Sequence, residues 1–133
     1  NHIKEGSMLN TPPVFAVYVC MLTLRWLKAQ GGVAAIEKLN NEKAALLYAA
    51  IDESPLFTGT VNKEDRSKMN VCFVMNDASL EAPFLQFTKE QGIVGIKGHR
   101  LVGGFRASLY NALPISSVQV LKQAMHEFAL QYA

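Results

Sequence analysis

Five apolar residues in a row, Val71 to Met75, leave this chain few ways to fold. A continuous run of that length, bounded by Asn70 and by Asn76-Asp77, predicts a central strand buried on both faces. Further strand signals flank it. "LFTGTV", from Leu56, is a short strand with a glycine interruption, which suits a sheet edge. "IVGIKGHR" and "GFRASLY" predict the two strands of a hairpin turning near Gly103-Gly104.

Helical periodicity fills the rest. Asn10 and Thr11 have the chemistry of cap residues, and Pro12 suits a first helical position. Phe15, Val19, Leu22 and Trp26 then recur at helical spacing up to Gly31-Gly32. The run from Val14 to Leu24 is interrupted only by Thr23; it is shorter than the ~20 residues of a membrane span and predicts a buried helix. A second helix is expected from Val33 to about Asp52, with Ile36, Leu47 and Ile51 inward and Glu37, Lys38, Asn41 and Glu42 outward. A third carries Leu80, Phe84 and Phe87 inward, holds Pro83 in its first turn and stops at Gly92. The last carries Val118, Leu121, Met125 and Phe128 inward, and Ser116 and Gln119 have capping-box spacing. Helices at both ends of the strands predict an α+β fold, a small, mainly antiparallel sheet covered by helices. The composition shift near Asp52 to Pro55 suggests a helical segment over 1–54 and an α+β domain over 55–133.

Chemistry is sparse outside the hairpin. With 133 residues, 50% of them hydrophobic and 18% charged, the chain has the balance of one folded domain. A net charge of +2 leaves no nucleic-acid footprint. Cys20 and Cys72 lie in apolar runs and are expected as buried free thiols of a reducing, cytoplasmic compartment. His2, His99 and His126 are scattered, so no metal site is expected, and His126 is expected exposed. Trp26, Tyr48 and the phenylalanines fall on apolar stripes and are expected in the core.

The hairpin alternates. Phe105, Ala107 and Leu109 fall on one face, Arg106, Ser108 and Tyr110 on the other. A strand arginine suits a carboxylate with its planar fork, and His99 and Arg100 add donors at the end of the preceding strand. Such a group fits a small molecule with two anionic ends. The bland alternative is an arginine paired with a structural Asp or Glu, or one reaching solvent. The "NTPP" stretch is a second candidate, because helix N-termini attract phosphate; Pro12 and Pro13 remove two backbone donors, so Asn10 and Thr11 would supply the contact with their side chains.

"GHRLVGGFRASLYNALP" resembles the C-terminal signature of the phosphoserine aminotransferase family, fold-type I enzymes that use pyridoxal phosphate. "SMLNTPPVF" and "WLKAQGGVAAIEKLNNEKAALLY" are similar to the family's preceding segments, so the resemblance covers essentially the whole chain. Leu9 stands where the family usually has tyrosine, and Phe105 where methionine is common; neither is a polar contact residue. The resemblance implies a cytoplasmic homodimer with active sites at the subunit interface. It implies amino transfer between glutamate and 3-phosphohydroxypyruvate, yielding phosphoserine in serine biosynthesis. By the same resemblance Arg106 holds the substrate α-carboxylate, and His99 and Arg100 bind the distal phosphate or carboxylate across the dimer. Asn10 and Thr11 contact the cofactor phosphate, also across the dimer. The family's Schiff-base lysine, its pyridine-nitrogen carboxylate and its stacking aromatic lie upstream of these motifs. The expectation is therefore a C-terminal fragment that, alone, binds pyridoxal phosphate weakly or not at all and is inactive, with no catalytic residue of its own. Two other classes compete: a stand-alone α+β module that binds an anionic amino acid, and a structural oligomerisation domain built on the apolar first helix.

Overall fold

A computed structural model describes residues 1–132. They form helices α1 (Val14–Ala29) and α2 (Gly32–Glu53), strand β1 (Phe57–Gly59), strand β2 (Asn70–Met75), helix α3 (Glu81–Glu90), strand β3 (Phe105–Ser108) and helix α4 (Ile115–Tyr132), with short 3-10 turns at Lys63–Asp65 and Ala78–Leu80. The chain packs as two compact units, 1–36 and 37–133.

In the first unit, α1 starts one residue after Pro13, which stands at the N-cap and provides no side-chain cap. The capping expected of Asn10 and Thr11 is thus not made; the double proline moves the helix start beyond their reach. Gly31, at φ 96°, ends α1 in a backbone region open to glycine. No residue of α1 is buried, contrary to the expectation for Val14–Leu24. Phe15 is 80% exposed, and Cys20 and Trp26 are also exposed rather than in a core. The periodicity reads correctly as a helix, but apolarity alone does not name what covers it.

The second unit is built on an antiparallel sheet of order β1-β2-β3. β2 lies in the middle, as its composition predicts, and β1 is an edge. Burial along β2 alternates, with Val71, Phe73 and Met75 buried and Cys72 and Val74 half-buried, so one face is fully covered where two were expected. The covered face meets α2, α3 and α4 residues in one core that includes Leu47, Ile51, Phe84, Leu121 and Phe128. Because Leu47 and Ile51 join this core, the expected boundary near residues 54 and 55 falls inside the second unit.

Aromatic side chains dominate that core. Phe84 sits with its ring centroid 5.0 Å from Phe57, 5.2 Å from Phe105 and 5.1 Å from Phe128. Phe73 and Phe105 face each other across β2 and β3 and stack at 5.1 Å. Each such pair adds about 0.5–1.5 kcal/mol beyond the area it buries.

Two local expectations are corrected here. The first hairpin strand does not form; Ile93 to Arg100 meets β3 through one isolated bridge, Lys97 with Phe105. Gly95 (φ 76°) and Gly98 interrupt the extended run, so it crosses β3 as a strap. α4 begins at Ile115, which puts Ser116 inside the first turn and not at the cap.

Candidate functional site

β3 places its residues by simple alternation. Phe105 and Ala107 are buried, while Arg106 and Ser108 are exposed on the other face. The register opposes Arg106 to Cys72 and Phe105 to Phe73. The strap holds the free side of β3 through Arg106 N–H donating to the Ile96 carbonyl at 2.8 Å and Gly98 N–H donating to the Gly104 carbonyl at 2.8 Å. A Cβ on Gly98 would run into the carbonyls of Gly103 and Gly104, so the crossing requires glycine there.

The tight turn after the strap carries the other two cationic candidates. Val102 and Gly103 N–H groups both donate to the His99 carbonyl, at 2.9 and 2.8 Å. Leu101 N–H donates to His99 Nδ1 at 3.2 Å. With Nδ1 accepting, the neutral ring carries its proton on Nε2, which leaves that edge as an outward donor. His99, Arg100 and Arg106 are all exposed. Among the described residues the acid–base pairs join Asp52 to Arg66 and to Lys63, and none involves these three side chains. The structural Asp or Glu partner that would explain Arg106 away is not found among them.

Asn10 and Thr11, in the first unit, are exposed immediately before Pro12 and Pro13. Since α1 takes no side-chain cap, the amide and hydroxyl are not engaged by the helix. Their donor chemistry suits one oxygen-rich anion such as a phosphate. His126 is exposed on α4. No group of three or more His, Cys, Asp or Glu side chains able to hold a metal occurs among the described residues.

Two polar clusters lie outside the site residues that the sequence pattern marks. Lys43 is fully buried, at 0% exposure, and its Nζ donates to the carbonyls of Leu109, Tyr110 and Leu113 at 3.1, 2.9 and 3.2 Å. Burial pushes its pKa down from the ordinary lysine value. One turn earlier, the buried Asn40 donates from Nδ2 to Asn111 Oδ1 at 2.8 Å. The signal was present, because Asn40 and Lys43 continue the helical stripe of Ile36, Leu47 and Ile51. The second cluster joins α2 to the loop after β1. Arg66 grips both carboxylate oxygens of Asp52 and lies 4.4 Å above the Tyr48 ring, whose hydroxyl donates to the Ser67 carbonyl at 3.0 Å. Tyr48 is half-buried rather than a core residue, and burial raises its pKa.

Similarity to known proteins runs along nearly the whole chain. A phosphoserine aminotransferase of Porphyromonas gingivalis is 61% identical over 133 residues, covering 98% of this chain and 37% of the relative. The solved phosphoserine aminotransferase of Bacillus circulans subsp. alkalophilus superposes with a TM-score of 0.91 at 40% identity, over 99% of this chain and 37% of that one. A pyridoxal-phosphate-bound phosphoserine aminotransferase of Trichomonas vaginalis gives a TM-score of 0.84 at 41% identity, over 94% of this chain and 36% of that one. The chain therefore spans a little over a third of the length of the relatives it matches. The family model for class-V aminotransferases matches residues 3–121, and the chain belongs to that family.

Proposed function

We propose that this chain is the C-terminal part of a phosphoserine aminotransferase, which moves an amino group between glutamate and 3-phosphohydroxypyruvate in serine biosynthesis. The observation that carries the reading is the segment 99–106: His99 and Arg100 at the turn and Arg106 on β3 stand exposed, with no acidic partner among the described residues. Both substrates of that reaction have two anionic ends. Arg106, on the rigid strand, takes the α-carboxylate with its planar fork. His99, through Nε2–H, and Arg100, at the turn, take the distal phosphate or carboxylate.

Pyridoxal phosphate, when bound, supplies the electron sink that amino transfer needs. Asn10 and Thr11 would hold its phosphate. Lys43, the buried lysine of this chain, is occupied by three carbonyls and is not offered to the cofactor. The covalent attachment is assigned to the upstream part of the enzyme. The active enzyme is a cytoplasmic homodimer in which the His99-Arg100 turn and the Asn10-Thr11 stretch each serve the partner's site. In it residues 1–54 lead from the large domain into a small domain at 55–133, with the last turns of α2 already seated in the small domain's core. No helix among the described residues is long and apolar enough to cross a membrane.

The test is amino transfer by the full-length purified protein, supplied with glutamate and 3-phosphohydroxypyruvate and followed by mass detection of phosphoserine and 2-oxoglutarate. Both products are expected in equal amounts. Failure to form phosphoserine, with pyridoxal phosphate added and the protein folded, would end the reading.

A further inference from the structure

Three backbone carbonyls meet at one point just beyond β3, and a cation fills that point. The carbonyls of Leu109, Tyr110 and Leu113 all accept from Lys43 Nζ within 3.2 Å. Oxygen dipoles gathered this way repel one another, so the loop needs donors at that point, and the Lys43 ammonium supplies all three. The loop is the direct continuation of the strand that presents Arg106. β3 has four residues, and its last sheet bond runs from Leu109 N–H to the Met69 carbonyl at 2.7 Å. Leu109 therefore ends the sheet with its N–H and begins the lysine collar with its carbonyl. A second tie holds the same loop to the same helix, Asn40 Nδ2 to Asn111 Oδ1. Strands place side chains with a period of two, so a small error where a four-residue strand ends changes where its one exposed arginine points.

We propose that Lys43 is a positioning residue for substrate binding: by gathering the carbonyls of residues 109, 110 and 113 onto α2, it sets the aim of the Arg106 guanidinium. Lys43 touches neither substrate nor cofactor. It acts through β3, and this inference rests on the reading of Arg106 as the carboxylate-binding residue. A misplacement of about 1 Å at a charged fork is enough to weaken a bidentate contact severely. The lost interaction is one made in the ground state as well as the transition state, so it shows in KM rather than in kcat.

The experiment compares Lys43→Met, Asn111→Ala and Arg106→Ala in the full-length enzyme, measuring steady-state kinetics with glutamate. Lys43→Met keeps an unbranched side chain, one atom shorter, and removes the ammonium that makes the three bonds. It is expected to raise KM for glutamate about tenfold with kcat within about twofold. Asn111→Ala changes an exposed residue and leaves the core intact; it is expected to raise KM by about threefold. A fall in kcat with KM unchanged in Lys43→Met reports only lost folded enzyme and overturns the proposal. Should Lys43→Met fail to fold, the exposed variant decides, and an unchanged KM in Asn111→Ala overturns it. The two readings separate cleanly. Arg106→Ala with an unchanged KM refutes the role of Arg106, whereas a raised KM there beside unchanged values in the other variants refutes Lys43 alone.

Discussion

Arg66 holds Asp52 through two parallel hydrogen bonds, Nη1 to Oδ2 at 2.8 Å and Nη2 to Oδ1 at 2.7 Å. The guanidinium keeps the Asp52 carboxyl below its ordinary value, chiefly through these bonds. A carboxyl whose folded pKa is depressed contributes stability that is present above its unfolded value, about 3.9, and is lost as pH falls through the lower folded value. Asp52→Asn should lower stability by about 1 kcal/mol at pH 7, a modest figure because the pair is partly solvated. The difference should shrink as pH drops below about 4. Urea midpoints of the two proteins across that range provide the check, and a difference that persists unchanged at low pH would contradict the ion-pair account.

Phe84 is fully buried between three other rings. Phe84→Ala should cost about 3–5 kcal/mol, the range for emptying an aromatic site in a packed core. Such a loss is a large share of the stability of a small domain, so the variant should be partly unfolded at room temperature. Near-ultraviolet circular dichroism and denaturant titration would show it.

Gly98→Ala and Gly92→Ala separate two reasons for glycine. Gly92 lies at φ 78° with open space where a Cβ would stand, so its cost is the left-handed backbone alone, about 1 kcal/mol. Gly98 has no room, since its Cβ would strike the Gly103 and Gly104 carbonyls. Gly98→Ala should therefore cost more, about 2–3 kcal/mol, and should break the Gly98 to Gly104 hydrogen bond. Hydrogen exchange at the Gly98 amide, faster in that variant only, is the expected signature.

Arg100→Ala and Arg106→Ala in the full-length enzyme should divide the substrate between them. Loss of a carboxylate partner of the Arg106 kind should weaken binding of both glutamate and 3-phosphohydroxypyruvate by about 2–5 kcal/mol. In the proposed reading Arg100 serves the distal end. Its loss should raise KM more for the phosphorylated keto acid than for glutamate, because a dianion loses more than a carboxylate. Equal effects on both substrates would place Arg100 elsewhere.

The elements themselves were legible. β2 announces itself by Val71 to Met75, and α2 by Ile36, Leu47 and Ile51, because burial repeats with the period of the element. The alternation that exposes Arg106 and buries Phe105 and Ala107 was readable for the same reason. What escaped depends on neighbours distant in sequence. Lys43 is ordinary in composition, and only the return of residues 109–113 to α2 makes it a buried cation. Asp52 and Arg66 lie 14 residues apart, and only the loop after β1 brings them together. The strap at 93–100 resembles a strand because Ile93, Val94 and Ile96 are β-branched, yet Gly95 and Gly98 serve a close crossing rather than a ladder. α1 departs from its expected burial for the opposite reason. Its apolar surface is real, but covering it requires atoms that no residue pattern within the helix can specify.

The two charged clusters of this chain should answer differently to ionic strength. Dissolved ions reach the Asp52 carboxylate and weaken its attraction to Arg66 over distances of about 10 Å at ordinary salt. They do not reach Lys43, at 0% exposure. Its ammonium behaves as a tethered counterpart of an ion in an ionophore, stripped of water and ringed by carbonyl oxygens. The far end of β3 is thereby anchored by a charge that the surrounding electrolyte cannot dilute.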